Sequence, residues 1–164
     1  MSNLIDRLSG QHREGEKLVA DMGEAVAKLR AEGIDTGGLL EAFAAYRTQQ
    51  HSEVDGHFRE EEQGLFPVLG RYLGIDVGPV AAMMDDHHAL RCLQLELDAA
   101  LAALEFGHRE GWEASLARAA ESFSGLLGEH ISKEDTMLFP MALSLLSEDE
   151  WEQAQKLAGM VDSA

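Results

Sequence analysis

The chain of 164 residues contains a single cysteine, Cys92, which excludes an internal disulfide and any thiolate-bound metal cluster. A lone cysteine on a helical segment suits a reducing cytoplasm, where it usually serves as a small core residue, and a cytoplasmic location is the expectation. Proline is scarce at three residues. Aromatic and β-branched residues are few while Leu, Ala, Glu and Met abound, a balance that predicts an all-α protein. Basic residues are outnumbered 13 to 30 by acidic ones, giving a formal charge of -17. No basic stripe could track a phosphate backbone, so nucleic acid and anionic membrane are excluded as partners. There is no charged-then-apolar leader and no apolar run approaching ~18 residues, and neither secretion nor membrane insertion is expected.

What the chain does have is one sentence written twice. His57-Phe-Arg-Glu-Glu61-Glu-Gln-Gly-Leu65-Phe66-Pro67 is echoed by His130-Ile-Ser-Lys-Glu134-Asp-Thr-Met-Leu138-Phe139-Pro140. Four residues of α-helix bring His57 and Glu61 onto one face, and likewise His130 and Glu134. A further histidine lies upstream of each copy at nearly the same distance, His12 before the first and His87 before the second. The chain is therefore two similar halves. Its length suits a single domain spanning residues 1–164, with a bundle over about 3–140 and a C-terminal helix over about 147–160.

Apolar periodicity divides the bundle into four helices. The first runs from Asn3 to about Glu32 along Ile5, Leu8, His12, Gly15, Val19, Met22, Val26 and Leu29, and the 33–38 segment breaks it. The second, about Leu39 to Gly64, follows Leu40, Phe43, Arg47, Gln50, Val54, His57 and Glu61; Leu65-Phe66-Pro67 is expected to end it, because proline disfavours helical geometry before it and cannot donate. The third starts at Pro79 and passes through Met83, His87, Leu90, Gln94, Leu97, Leu101 and Leu104 to about Phe106. This phase selects His87 over His88, although a stripe through Met84, His88 and Leu95 is also open. The fourth follows Trp112, Leu116, Ala119, Phe123, Leu127, His130 and Glu134 and is expected to stop at Phe139-Pro140. A capping box over Ser147–Glu150 then opens a short fifth helix through Trp151 and Leu157, expected to cover one end of the bundle.

A histidine on an apolar stripe is by itself more often a satisfied core residue than a ligand. Two His-x-x-x-Glu copies, each with an upstream core histidine, change that balance. Folded as four antiparallel helices, the halves bring four imidazoles and two carboxylates together, as bundles do to build metal sites. A buried carboxylate on the core stripe calls for a cation or a hydrogen-bond network. Imidazole and carboxylate without thiolate suit iron, manganese or zinc, and two carboxylates able to bridge suggest a pair of ions. His51, His108, Glu60 and Glu62 lie off the face of the candidate ligands, and Asp135 would share a metal with His130 only if the helix were distorted.

These motifs resemble the hemerythrin-like proteins of the HHE cation-binding group over nearly the whole chain, from His12 to Pro140. The resemblance implies an antiparallel up-down four-helix bundle with a non-haem centre of two iron ions. It implies His12, His57, Glu61, His87, His130 and Glu134 as ligands, with Glu61 and Glu134 bridging. Dioxygen-carrying members use a fifth histidine, and the positions flanking His87 by one turn are here Met83 and Arg91; only His88 or His51 could supply it. The expected function is binding of dioxygen, nitric oxide or a peroxide for sensing, storage or stress response, a binding protein rather than an enzyme. The rivals are a di-iron enzyme consuming peroxide, nitric oxide or ferrous iron, and an interaction module with a structural metal.

Overall fold

The computed structural model describes residues 3–35 and 38–159; residues 36 and 37 of the expected inter-helix break and residue 160 of the expected last helix lie outside them. Helix α1 covers Asn3–Glu32. The second arm of the bundle is one helical rod in five pieces: α2 (Leu39–Gln49), a wide turn π1 (Gln50–Val54), α3 (Asp55–Glu60), a second wide turn π2 (Glu61–Leu65) and α4 (Phe66–Leu73). The third arm is α5 (Pro79–Glu105). The fourth is α6 (Trp112–Lys133), π3 (Glu134–Leu138) and α7 (Phe139–Leu145), and α8 (Glu148–Gly159) follows. The arms α1, α2–α4, α5 and α6–α7 pack as an all-α antiparallel bundle, α1 against α6, α6 against α5 and α5 against α2. No helix among the described residues is long and apolar enough to cross a membrane.

Two expectations about helix ends are corrected. Neither Pro67 nor Pro140 stops its helix, since α4 and α7 continue through them with the proline in the first turn. Each proline lies one residue past a π turn, where the Phe66 and Phe139 backbone N–H groups reach back five residues to the Glu61 and Glu134 carbonyls. The clash that normally breaks a helix at proline is relieved there. Cys92 is exposed rather than a core residue. Arg47 is also outside the core, paired with Glu105 at 3.2 Å on the surface.

The apolar residues form two separate cores. One, around Leu18, Met22, Phe43, Leu97, Leu101 and Phe123, fills the end of the bundle nearest the α1–α2 connection. The other joins Leu4, Leu8, Leu69, Val80, Leu138 and Trp151 at the opposite end. Helix α8 closes this second end and lies on π2. Its capping box is half formed, with Glu150 accepting from both the Ser147 backbone N–H and hydroxyl at 2.9 Å. The contact with π2 depends on Gly64, where a β-carbon would lie 2.7 Å from the Ala158 β-carbon and 2.9 Å from the Ala154 carbonyl oxygen. Between the two cores lies a layer of buried polar side chains.

Candidate metal centre

That layer consists of the six residues singled out in the sequence. His12 comes from α1, His57 from α3, His87 from α5 and His130 from α6, while Glu61 and Glu134 are the first residues of π2 and π3. All six are buried. They fall into two quartets, His12, His57, Glu61 and Glu134 on one side and Glu61, His87, His130 and Glu134 on the other. Within each quartet the potential ligand atoms lie within 4.8 Å of one another. The two glutamates belong to both.

Every imidazole points Nε2 inward. His57 Nε2 lies 3.2 Å from Glu61, His12 Nε2 3.1 Å from Glu134, His87 Nε2 3.2 Å from Glu61 and His130 Nε2 3.3 Å from Glu134. Each half thus supplies both histidines of one quartet. The lone histidine of a quartet meets the glutamate of the other half's motif, and this crossing locks the halves together.

The Nδ1 atoms face outward to a second ring that sequence reasoning missed. Asp135 meets His12 at 2.8 Å, Gln11 Oε1 meets His57 at 2.8 Å, Glu62 meets His87 at 2.8 Å, and Asp86 lies 3.5 Å from His130. The signal was adjacency, because each of these residues is the chain neighbour of one of the six. Glu62 and Asp135 occupy the same position in the two motifs, and Gln11 and Asp86 each precede the lone histidine of their half. The helix is distorted at Asp135, the condition under which it could have shared a metal with His130, yet Asp135 holds His12 instead. The ring is itself anchored: Arg91 donates to both Glu62 oxygens at 2.7 and 3.2 Å, Lys133 to Asp86 at 2.8 Å, and Gln11 to Glu60, which also accepts from Arg7 at 2.7 Å.

The three remaining histidines stay outside. His51 is exposed and pairs with Asp98 at 2.9 Å, and His88 and His108 are exposed. Neither His51 nor His88 supplies a fifth imidazole to the centre. Arg91, one turn beyond His87, instead serves Glu62 and lies 5.5 Å over the Phe58 ring.

Aromatic rings stack on two of the imidazoles. Phe58 stacks on His87 at 3.9 Å, Phe66 covers the same imidazole at 5.5 Å, and Phe139 stacks on His12 at 5.1 Å. In this setting the charges of the side chains decide one another. Burial opposes the charged form of His57, but Glu61 and Glu134 outweigh it and raise the imidazole to about 10. His12 and His87 are raised in the same way, against burial, by Glu134 and Glu61 respectively together with their outer carboxylates. His130 is lowered, first by burial and then by the neighbouring positive imidazoles, despite both glutamates. Glu61 is held well below the ordinary carboxylate range, its burial overcome by His57 and His87, and Glu62 is lowered, against its own burial, by His87 and Arg91.

The donor set fits cations better than protons. Where Nδ1–H of His12, His57 and His87 is engaged by the outer ring, Nε2 presents a lone pair inward, the tautomer a metal requires, while His130 Nδ1 makes no hydrogen bond. His87 Nε2 and His130 Nε2 lie 3.2 Å apart, a distance at which one donates to the other when either carries a proton and at which both can face a shared cation when neither does. His57 Nε2, both Glu61 oxygens and Glu134 Oε1 are buried without a hydrogen-bond partner. Native proteins seldom tolerate such a concentration of orphaned groups without bound water or an ion to satisfy them.

A four-helix bundle whose core holds imidazoles from all four arms and two shared glutamates defines a class, the metal-binding helical bundles. Within it the match is specific. The hemerythrin HHE cation binding domain matches residues 3–142, and the chain belongs to that family. It is also similar to proteins named iron-sulfur cluster repair protein YtfE. Those of Enterobacter sp. (strain 638) and Citrobacter koseri are each 28% identical over 149 residues, and that of Escherichia coli O1:K1 / APEC is 27% identical. The alignments cover 88% of this chain and 65% of each relative, so the chain spans about two thirds of their length.

Proposed function

We propose that His12, His57, Glu61, His87, His130 and Glu134 hold two iron ions, one per quartet, and that the chain is a single-domain di-iron protein of stress response. The observation that carries this reading is the sharing of Glu61 and Glu134 by both quartets, which suits a pair of ions better than one. Bound iron would supply redox-active cations able to take a small ligand such as dioxygen, nitric oxide or a peroxide. The chain's own groups do the rest. Glu61 and Glu134 would be shared by the two ions and would offset their charge, while Asp135, Gln11 and Glu62 hold the imidazoles of His12, His57 and His87 in orientation through Nδ1. Phe58 and Phe66 cover His87, and Phe139 covers His12, with apolar surface. Four histidines rather than five leave fewer protein ligands than in the dioxygen carriers, and the relatives' printed name places them in iron-sulfur cluster repair, so a stress-response role is favoured over storage. The lone cysteine suits a cytoplasmic setting.

The test is metal content together with the optical spectrum of anaerobically reduced protein before and after admitting air. A pair of irons per chain, falling sharply in Glu61→Ala and Glu134→Ala while helicity is kept, is the expected result. One zinc, no metal, or a full pair of irons in either variant overturns it. Adduct formation in proportion to protein would mark a binder or sensor, and sustained consumption of peroxide or nitric oxide an enzyme.

A further inference from the structure

A cavity of about 330 Å³ enters the bundle between α1 and the π1–α3 segment and reaches His12, His57 and His130. Its inner walls are apolar, formed by Leu18, Val54, Phe58, Leu127 and Ile131. Liquid water occupies about 30 Å³ per molecule, so the space is roughly tenfold what a diatomic ligand needs. It falls instead at the lower end of the range used by organic ligands, about 300–1,000 Å³.

Local features of the chain hold this seam open. Gly15 on α1 and Gly56 on α3 both line it and place no side chain in it. The wide turn π1 supplies Ser52, Glu53 and Val54 to its wall. Wide turns gather at functional sites, and here π2 and π3 begin on the two shared glutamates, leaving π1 as the one among the described residues without a candidate ligand. The second half has none of these devices: α6 runs unbroken to Lys133, and Leu90, three residues after His87 as Gly15 is after His12, is fully buried.

The rim is acidic. Glu14, Glu53 and Glu60 line the outer part of the cavity together with Arg59, and Glu60 is already engaged by Arg7 and Gln11. Anions are repelled there, while the apolar walls favour a hydrocarbon or aromatic body. Among its innermost residues, His57 has a buried Nε2 that lies 3.2 Å from Glu61 but makes no hydrogen bond.

We propose that this seam binds a neutral, mainly apolar organic molecule about the size of two fused or linked rings, with a nitrogen or oxygen base at the end that reaches the His12–His57 quartet. The inference rests on the metal reading for what that base would meet, but not for the pocket itself. The test titrates 4-phenylimidazole, neutral at about pH 8 because imidazoles lose their proton near 6.5, and benzoate as an anion of similar size. Binding to the full chain is followed by calorimetry in the iron-loaded and the chelator-treated form. Saturable binding of one 4-phenylimidazole per chain is expected, at least about tenfold tighter than benzoate, a difference of about 1.4 kcal/mol. Gly15→Leu should weaken it at least about tenfold on the same scale.

Since a β-carbon at Gly15 would already meet Ile131 Cδ1 at 2.9 Å, Gly56→Leu, where a β-carbon meets nothing within 4 Å, fills the seam from the other wall. Absence of saturable binding to either form, unchanged binding in both folded variants, or equal binding of benzoate overturns the proposal. Wild-type protein that takes up no iron but still binds the probe would overturn only the metal reading.

Discussion

His12 and His57 face a cavity of about 330 Å³ that also touches His130 from the far wall, whereas His87, the counterpart of His12, is enclosed by Phe58 and Phe66 and followed by the buried Leu90. The two motifs share their ligand positions and the Leu-Phe-Pro tail, so the difference comes from the residues between and around them. Gly15 stands where Leu90 stands, and Ile131 where Phe58 stands, each pair at the same offset from its histidine. A duplicated centre can thus be given one open and one sealed side without touching a ligand. The fifth helix adds a second asymmetry by covering π2 and not π3.

The sharpest way to break the comparison is to exchange the two positions that create it. Leu90→Ala removes a fully buried side chain beside His87 and should cost about 2–5 kcal/mol in urea unfolding. Gly15→Ala should stay within about 1 kcal/mol, because alanine's gain in helix propensity offsets the shift asked of Ile131 Cδ1, the free end of a flexible side chain. Equal losses in the two variants would mean that the seam beside Gly15 is packed as tightly as the wall beside Leu90.

The next effect concerns the fifth helix. Gly64 in π2 corresponds to Met137 in π3. A β-carbon at Gly64 meets backbone as well as side chain on α8, so Gly64→Ala should cost about 1–3 kcal/mol through overpacking. Met137 is only half-buried, and Met137→Ala should cost less. A Gly64→Ala variant melting with the wild type would place α8 off π2.

The six residues of the centre were legible because helical spacing and burial point the same way: a carboxylate on an apolar stripe needs a reason, and the repeat provided one twice. The phase that preferred His87 to His88 was sound for the same reason, since one lies buried and the other exposed. What escaped was whatever depends on a departure from ideal helix. Prolines at positions 67 and 140 read as stops because an α-helix cannot pass them, and nothing in composition announces a π turn. The same turns rotate Glu62 and Asp135 toward histidines of other helices, so fixed angular offsets place them away from the centre. The cavity escaped because a glycine on a stripe registers as reduced bulk, and only the packed neighbours show whether the gap is filled.

A pH experiment compares the equivalent histidines directly. In chelator-treated protein His57 is raised to about 10, against its burial, by Glu61 and Glu134, while His130 is lowered, first by burial. The stabilisation from His57 is complete below its unfolded value of about 6.5 and is lost as pH rises through about 10. That from neutral His130 is complete above about 6.5 and is lost as pH falls through its lowered value. The metal-free form should therefore be most stable slightly below or near neutrality and weaken in both directions. Imidazole NMR should show His57 still protonated at about pH 8 with His130 neutral, opposite to unfolded controls only at His57. Parallel titration of the two would erase the difference.

The smallest effect lies in the outer ring. Three of its four members are carboxylates, and the exception is Gln11, which backs His57 on the open side. A carboxylate behind an imidazole makes the inner nitrogen a stronger ligand, and loss of such partners typically costs 10–100-fold in metal affinity. Glu62→Ala should fall in that range, since Glu62 also carries the Arg91 anchor. Gln11→Ala removes only a neutral acceptor and its link to Glu60, and should cost less than about tenfold. Gln11→Glu should act in the opposite direction, tightening metal at the His12–His57 quartet by making His57 a stronger donor. Competition with a chelator, read quartet by quartet through the loss of the first and second ion, resolves the three variants. A loss in Gln11→Ala as large as in Glu62→Ala would show that geometry rather than charge is what the ring supplies, and that the open side is bound as firmly as the sealed one.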